Sequence, residues 1–282
     1  MSGACRSTTL TSDPAARLFV ALDVETLADA EALLDRLDGV NLDVNLDGPG
    51  PSNVVAPGVK IGTQLFTAAG PTAVEHAQKR GRRVFLDLKY HDIPNTVAGA
   101  VREATRLGVF MLDVHASGGF AMMRAAADAA TKAAADFGVV RPLVIGVTVL
   151  TSLDRKALPL DLGVAGSVES HVLRLAERAR DAGLDGCVAS AREIGLLRGA
   201  LGPKWVIVAP GMRPEQAQLR PGGDRGAISG PSRPKEDDQA RTATPRAAIS
   251  AGADYIVVGR PIIAAPDPVA AVRAVLDEIA SA

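Results

Sequence analysis

The chain has 282 residues, of which 47% are hydrophobic and 22% charged, and its formal net charge is −1. That is ordinary for a globular protein of one large or two small domains, and enough chain to bury a full core. The balanced charge and 3% aromatic content argue against a nucleic-acid surface, and no apolar run approaches the ~20 residues of a membrane span or forms a signal-peptide core; the two cysteines make no disulfide framework and point to a reducing, cytoplasmic setting.

Residues 1–16, rich in Ser, Thr, Ala and Gly, read as a disordered leader. Residues 18–22 form a strand that ends at Asp23. Thr26 then caps a helix in which Leu27, Ala30, Leu33, Leu34 and Leu37 recur at helical spacing. Residues 38–58 collect Gly, Pro, Asn and Asp and read as a long exposed loop. A short strand at 59–61 carries Lys60 opposite its apolar neighbours, and a helix over 64–79 follows.

The third strand opens with Val84-Phe85-Leu86 and runs into Asp87-Leu88-Lys89. Strand alternation puts Asp87 and Lys89 on one face. Asp92 falls in the turn beyond, and Pro94 marks the first turn of a helix that continues over 96–107. A fourth strand at 110–114 ends at His115, and Gly118-Gly119 leads to an Ala-rich helix over 120–136. A fifth strand at 143–149 precedes Thr151-Ser152, a loop over 153–166 and a helix over 167–181. The sixth strand, 186–189, is followed by Ser190 capping a helix over 191–201. The seventh, 205–209, ends in Pro210-Gly211-Met212-Arg213. The segment 214–240 is long and polar. A short helix at 245–251, a strand at 255–258 ending in Gly259-Arg260, and a helix over 267–279 complete the chain.

Eight strands, each followed by a helix, over roughly 265 residues predict a closed (β/α)8 TIM barrel, a single domain over 17–282. The rival is a doubly wound open sheet. It calls for a Gly-rich turn after the first strand, where this chain reads Asp23-Val24-Glu25-Thr26.

Strand carboxyl ends converge on one mouth of such a barrel. There the sequence places Asp23, Lys60, Asp87, Lys89 and Asp92, an alternation of acids and amines. Neighbouring carboxylates favour a charged lysine, so the array suits proton delivery to a developing carbanion. Ammonium groups fill the space a metal ion would need, and His76, His91, His115 and His171 show no ligand spacing. We therefore expect neither metal nor cofactor. His115 and His91 read as structural histidines and Cys187 as inert core. Gly259, Arg260 and Arg213 at the ends of strands seven and eight suit a phosphate. The expected substrate is a small phosphorylated molecule.

The run Asp87-Leu88-Lys89-Tyr90-His91-Asp92-Ile93-Pro94-Asn95-Thr96 resembles the signature of the orotidine 5′-phosphate decarboxylase family. From about residue 17 onward the likeness also takes in Asp23, Val59-Lys60-Ile61-Gly62, Val114-His115-Ala116-Ser117-Gly118-Gly119, Val147 to Ser152, Pro210 to Arg213, Asp238 to Arg241 and Tyr255 to Ile262, in the family's order. Related sugar-phosphate barrels resemble the Asp-X-Lys-X-X-Asp core without the Ile-Pro-Asn-Thr tail. Other phosphosugar decarboxylases or aldol synthases of that superfamily are the alternative, and a non-catalytic nucleotide-binding barrel is a third reading.

The resemblance implies cofactor-free conversion of orotidine monophosphate to uridine monophosphate and carbon dioxide, in pyrimidine biosynthesis. It implies that Lys89 protonates the carbon that loses carbon dioxide, that Asp87 lies beside the departing carboxylate, and that Lys60 and Asp92 complete the charge network. It also implies a homodimer in which Asp92 serves the other copy's site. Substrate contacts then fall to Asp23, Ile93, Thr96, Thr151, Ser152, Pro210, Arg213, Gln239, Gly259 and Arg260. The 38–58 and 214–240 loops are longer than in that family. The second reads as a lid, in which Arg220, Arg225 or Arg233 could share the phosphate.

Overall fold

The computed structural model describes residues 13–38, 56–215 and 243–282. Eight parallel strands close into a barrel in sequence order: β1 Leu18–Ala21, β2 Gly58–Gly62, β3 Val84–Tyr90, β4 Met111–His115, β5 Leu143–Val147, β6 Gly186–Val188, β7 Val206–Ala209 and β8 Tyr255–Val258. The ring closes through β1 and β8, where Phe19 pairs with Val257. The expected (β/α)8 barrel is the observed fold.

Alternation along each strand builds two cores. Outward-facing residues such as Leu18, Val20, Ile61, Leu86, Leu112 and Val144 pack under the helices. Inward-facing Phe19, Ala21, Phe85, Met111, Ile145, Val206, Val208 and Val257 fill the barrel itself. Phe19 and Phe85 meet edge to face with ring centroids 6.0 Å apart. Beneath them the Arg83 guanidinium lies 4.7 Å from the Phe110 ring centre. A side chain on Gly58 would stand 2.5 Å from the Phe19 ring, so the interior packing itself demands glycine there.

The lower rim is fastened by two matching clamps. Asp185, just before β6, accepts from the Val144 amide of β5 at 2.7 Å and from Arg141 at 2.8 Å. Asp254, just before β8, accepts from the Ile207 amide of β7 and from Arg198, each at 2.7 Å. Both acids tie a neighbouring strand's start to an arginine.

Several local readings change. Residues 13–16 are not leader: Asp13 caps a 3-10 turn, Pro14–Arg17, with Ala15 and Ala16 buried. Residues 1–12 lie outside the described residues. The helix expected over 64–79 is two, Thr63–Ala69 and Pro71–Lys79, because Gly70 takes a positive φ of 61° and Pro71 restarts the turn. The expected loop at 153–166 contains a helix, Ala157–Leu162, whose Leu158 is buried. The helix after Ser190 begins later, at Ile194. A short helix, Arg260–Ile263, follows β8 directly. Most of the 38–58 and 214–240 segments lies outside the described residues.

Candidate active site

At the carboxyl ends of the strands a cavity of about 320 Å³ opens, large enough for a nucleotide-sized ligand. Asp23, Lys60, Asp87, Lys89, Thr151, Pro210, Arg213, Gly259 and Arg260 all line it. One wall is charged. Much of the rest is apolar, with Val147, Val188, Val208 and Val257 among its residues.

The charged wall is a chain of ion pairs. Lys60 Nζ lies 3.0 Å from Asp23 Oδ1 and 3.1 Å from Asp87 Oδ2. The other Asp87 oxygen pairs with Lys89 Nζ. The order is therefore acid, amine, acid, amine, running from β1 to β3. Burial works against the Lys60 charge, but Asp87 and Asp23 outweigh it and hold the ammonium above the ordinary lysine value. Burial likewise opposes the Asp87 charge, and Lys60 and Lys89 overcome it, so its carboxyl sits below the usual range.

The local backbone explains how Lys89 reaches this chain. The β3–β4 register slips between Leu86 and Tyr90, and Lys89 adopts a left-handed φ of 49°. It is the only described residue other than glycine with a positive φ. Such a conformation costs about 1 kcal/mol or more for a residue with a side chain. Simple alternation therefore gives the right face for Lys89 but not the reason. A bulge aims the ammonium at Asp87.

Sequence reasoning missed Asp113. It stands in β4 between Leu112 and Val114, is 0% exposed, and accepts the Lys89 amide on Oδ1 at 2.8 Å. Burial, then the neighbouring Asp87 charge, pushes its carboxyl well above the usual range. The signal was an acid in an otherwise apolar strand, two residues before His115. His115 itself is kept below the ordinary histidine value by burial, then by His91 and Lys89.

Four expected site residues stand outside the cavity of their own chain. Asp92, Ile93, Thr96 and Ser152 are exposed and do not line the cavity of their own chain. Asp92 instead accepts from the Ile93 amide at 2.6 Å. Gln239, Arg220, Arg225 and Arg233 lie outside the described residues. Arg213 is lowered from the ordinary arginine value by burial and by the Arg260 charge, as expected where two guanidinium groups are gathered. Among the described residues no cluster of three or more His, Cys, Asp or Glu is placed to hold a metal ion.

Residues 52–275 match the model of the orotidine 5′-phosphate decarboxylase / HUMPS family. The chain belongs to this family. Relatives named orotidine 5′-phosphate decarboxylase include one from Moorella thermoacetica, 51% identical and covering 93% of this chain and 92% of its own. Another, from Syntrophotalea carbinolica, is 46% identical over 94% of this chain and 96% of its own. Among solved structures, an orotidine 5′-phosphate decarboxylase from Lactobacillus acidophilus superposes with a TM-score of 0.72 at 30% identity, covering 94% of this chain and 99% of that one. Within the family frame, the cavity wall described above is the chain's candidate reaction centre.

Proposed function

We infer that this chain is an orotidine 5′-phosphate decarboxylase, a carboxy-lyase of pyrimidine and UMP biosynthesis, and that Lys89 is its proton donor. The observation that carries the residue assignment is the unbroken Asp23–Lys60–Asp87–Lys89 chain at the barrel mouth. It offers an ammonium group where a carbanion would form, beside a carboxylate fixed by two lysines.

The reaction breaks the bond between the pyrimidine ring and its carboxylate. Carbon dioxide leaves, the electron pair stays on the ring carbon, and the Lys89 ammonium supplies the proton. Magnitudes rank the contributions. Two like charges about 4 Å apart repel by roughly 4 kcal/mol at an effective dielectric of about 20. Slow reactions require barrier reductions of up to about 23 kcal/mol. Repulsion of the substrate carboxylate by Asp87 is thus a minor part. Stabilisation of the carbanion by Lys89 and binding of the remote phosphate by Arg213 and Arg260 contribute more.

We further propose that two copies form a homodimer and that Asp92 serves the second copy's site. This is supported by Ile93 being 67% exposed and by both residues standing outside their own cavity. We place the enzyme in the cytosol, which suits the buried free thiol of Cys187.

The test is direct. Purified protein is given orotidine monophosphate, and its loss is followed by ultraviolet absorbance in the presence of a chelator. Turnover is expected; a folded protein without turnover overturns the assignment. Mixing Lys89→Ala with Asp92→Ala chains should restore part of the activity, and failure to do so overturns the shared site.

A further inference from the structure

We propose that Asp113 is a positioning residue that works as a protonated acid: it accepts the Lys89 backbone amide on one oxygen and donates a hydrogen bond to Asp87 from the other. This rests on the decarboxylase reading for its consequence, not for its geometry.

Four observations converge. Asp113 is fully buried, and among the described residues it forms no ion pair with any Lys or Arg. Its Oδ1 accepts the Lys89 amide at 2.8 Å. Its Oδ2 is buried with no hydrogen-bond partner among the described residues. Asp113 and Asp87 line the same cavity, and their carboxyls act on each other as neighbours, each shifting the other. Two carboxylates so placed share a proton, because both cannot ionise cheaply in a buried site. Asp87 is the one that stays charged, since Lys60 and Lys89 flank it. Asp113 is then the acid that keeps the proton, and its hydroxyl fills a lone-pair direction on Asp87 that the two ammonium groups leave open.

The surroundings allow little else. From β3, Asp113 meets Asp87, Lys89 and Tyr90, whose phenol burial and then Asp113 push up to about 12. Lys60 pairs with Asp87 at 3.1 Å. From β5 its partner is Ile145, which does not titrate. On its own strand the nearest such group is His115. The acid therefore does two things at once. It holds Lys89 in its left-handed bulge, and it orients Asp87 without adding a third negative charge to a wall of two acids and two amines.

The experiment compares Asp113→Asn and Asp113→Ala with the wild type. An asparagine can accept the amide and donate to Asp87 as the neutral acid does, so Asp113→Asn should keep kcat within about threefold. Alanine removes both bonds and frees the bulge, so Asp113→Ala should lower kcat about 100-fold with little change in KM. In ligand-free protein at neutral pH, infrared difference spectra should show a protonated-carboxyl stretch that Asp113→Asn lacks. The alkaline fall in kcat should move to higher pH in Asp113→Asn, where no third carboxylate can form. Absence of the infrared band, or equal losses in folded Asn and Ala variants, overturns the proposal. If the Ala variant does not fold, the spectrum and the pH profile of Asp113→Asn still decide it. A wild type that shows the band but no turnover overturns the decarboxylase reading and leaves the protonated pair standing.

Discussion

Lys60 Nζ stands 3.1 Å from Asp87 Oδ2, and both side chains are buried in the barrel mouth. Burial alone would neutralise each of them, and each keeps its charge because of the other. Replacing Lys60 with Met leaves Lys89 as the one cation paired with Asp87 among the described residues and raises its carboxyl. The acid limb of the kcat/KM profile should then move to higher pH, with lower kcat throughout. Because the Asp87 carboxyl is depressed in the folded protein, the stability it contributes is present above the unfolded value of about 3.9 and is lost as pH falls through the folded one. Lys60→Met should narrow that benefit, read as a smaller difference in melting temperature between neutral and acid pH.

Lys89→Ala should cut kcat by about 1,000-fold or more while circular dichroism stays native. Lys89→Gly should be equally inactive. It should also be more stable than the alanine variant by about 1 kcal/mol, because glycine accepts the φ of 49° without strain. Equal stabilities measured by urea titration would count against strain at this bulge.

Arg260→Ala should raise KM for the nucleotide about 10- to 100-fold and lower kcat less, with Arg213→Ala behaving similarly. Added salt should raise the wild-type KM, since part of the attraction is between charges. Steady-state kinetics at two ionic strengths checks both. An unchanged KM in both variants would move the phosphate site elsewhere.

Arg198→Ala should destabilise the fold by roughly 3 kcal/mol, because Asp254 keeps its buried carboxylate without the guanidinium. The loss should shrink at acid pH, where Asp254 can take up a proton. Denaturant titrations at two pH values test this, and kcat of the folded variant should be little changed.

Much of the barrel was legible in the sequence because each strand is a short apolar run and each helix is amphipathic. Asp87, Lys60 and Lys89 were legible for a related reason: a charge inside an apolar strand must face the mouth or fail to be buried. Asp113 obeys the same rule, but a lone acid in a strand that ends at His115 has no partner at a telling spacing to mark it out. The division at Gly70-Pro71 was written in the two residues that make it. The bulge at Lys89 was not, since nothing in Leu88-Lys89-Tyr90 marks a slipped register. Asp92 shows the limit of spacing arguments, because its position in a turn leaves its side chain free to face away from its own cavity.

The Arg141–Asp185 and Arg198–Asp254 clamps sit at the starts of the strands, while every ion pair of the cavity wall sits at their ends. The clamps that tie strand starts together and the proposed reaction centre are therefore different residues at opposite rims. A library of variants should separate into two nearly independent populations, one that shifts melting temperature and one that shifts turnover. The mouth can then be re-equipped for another phosphorylated substrate while the clamps of the lower rim stay in place.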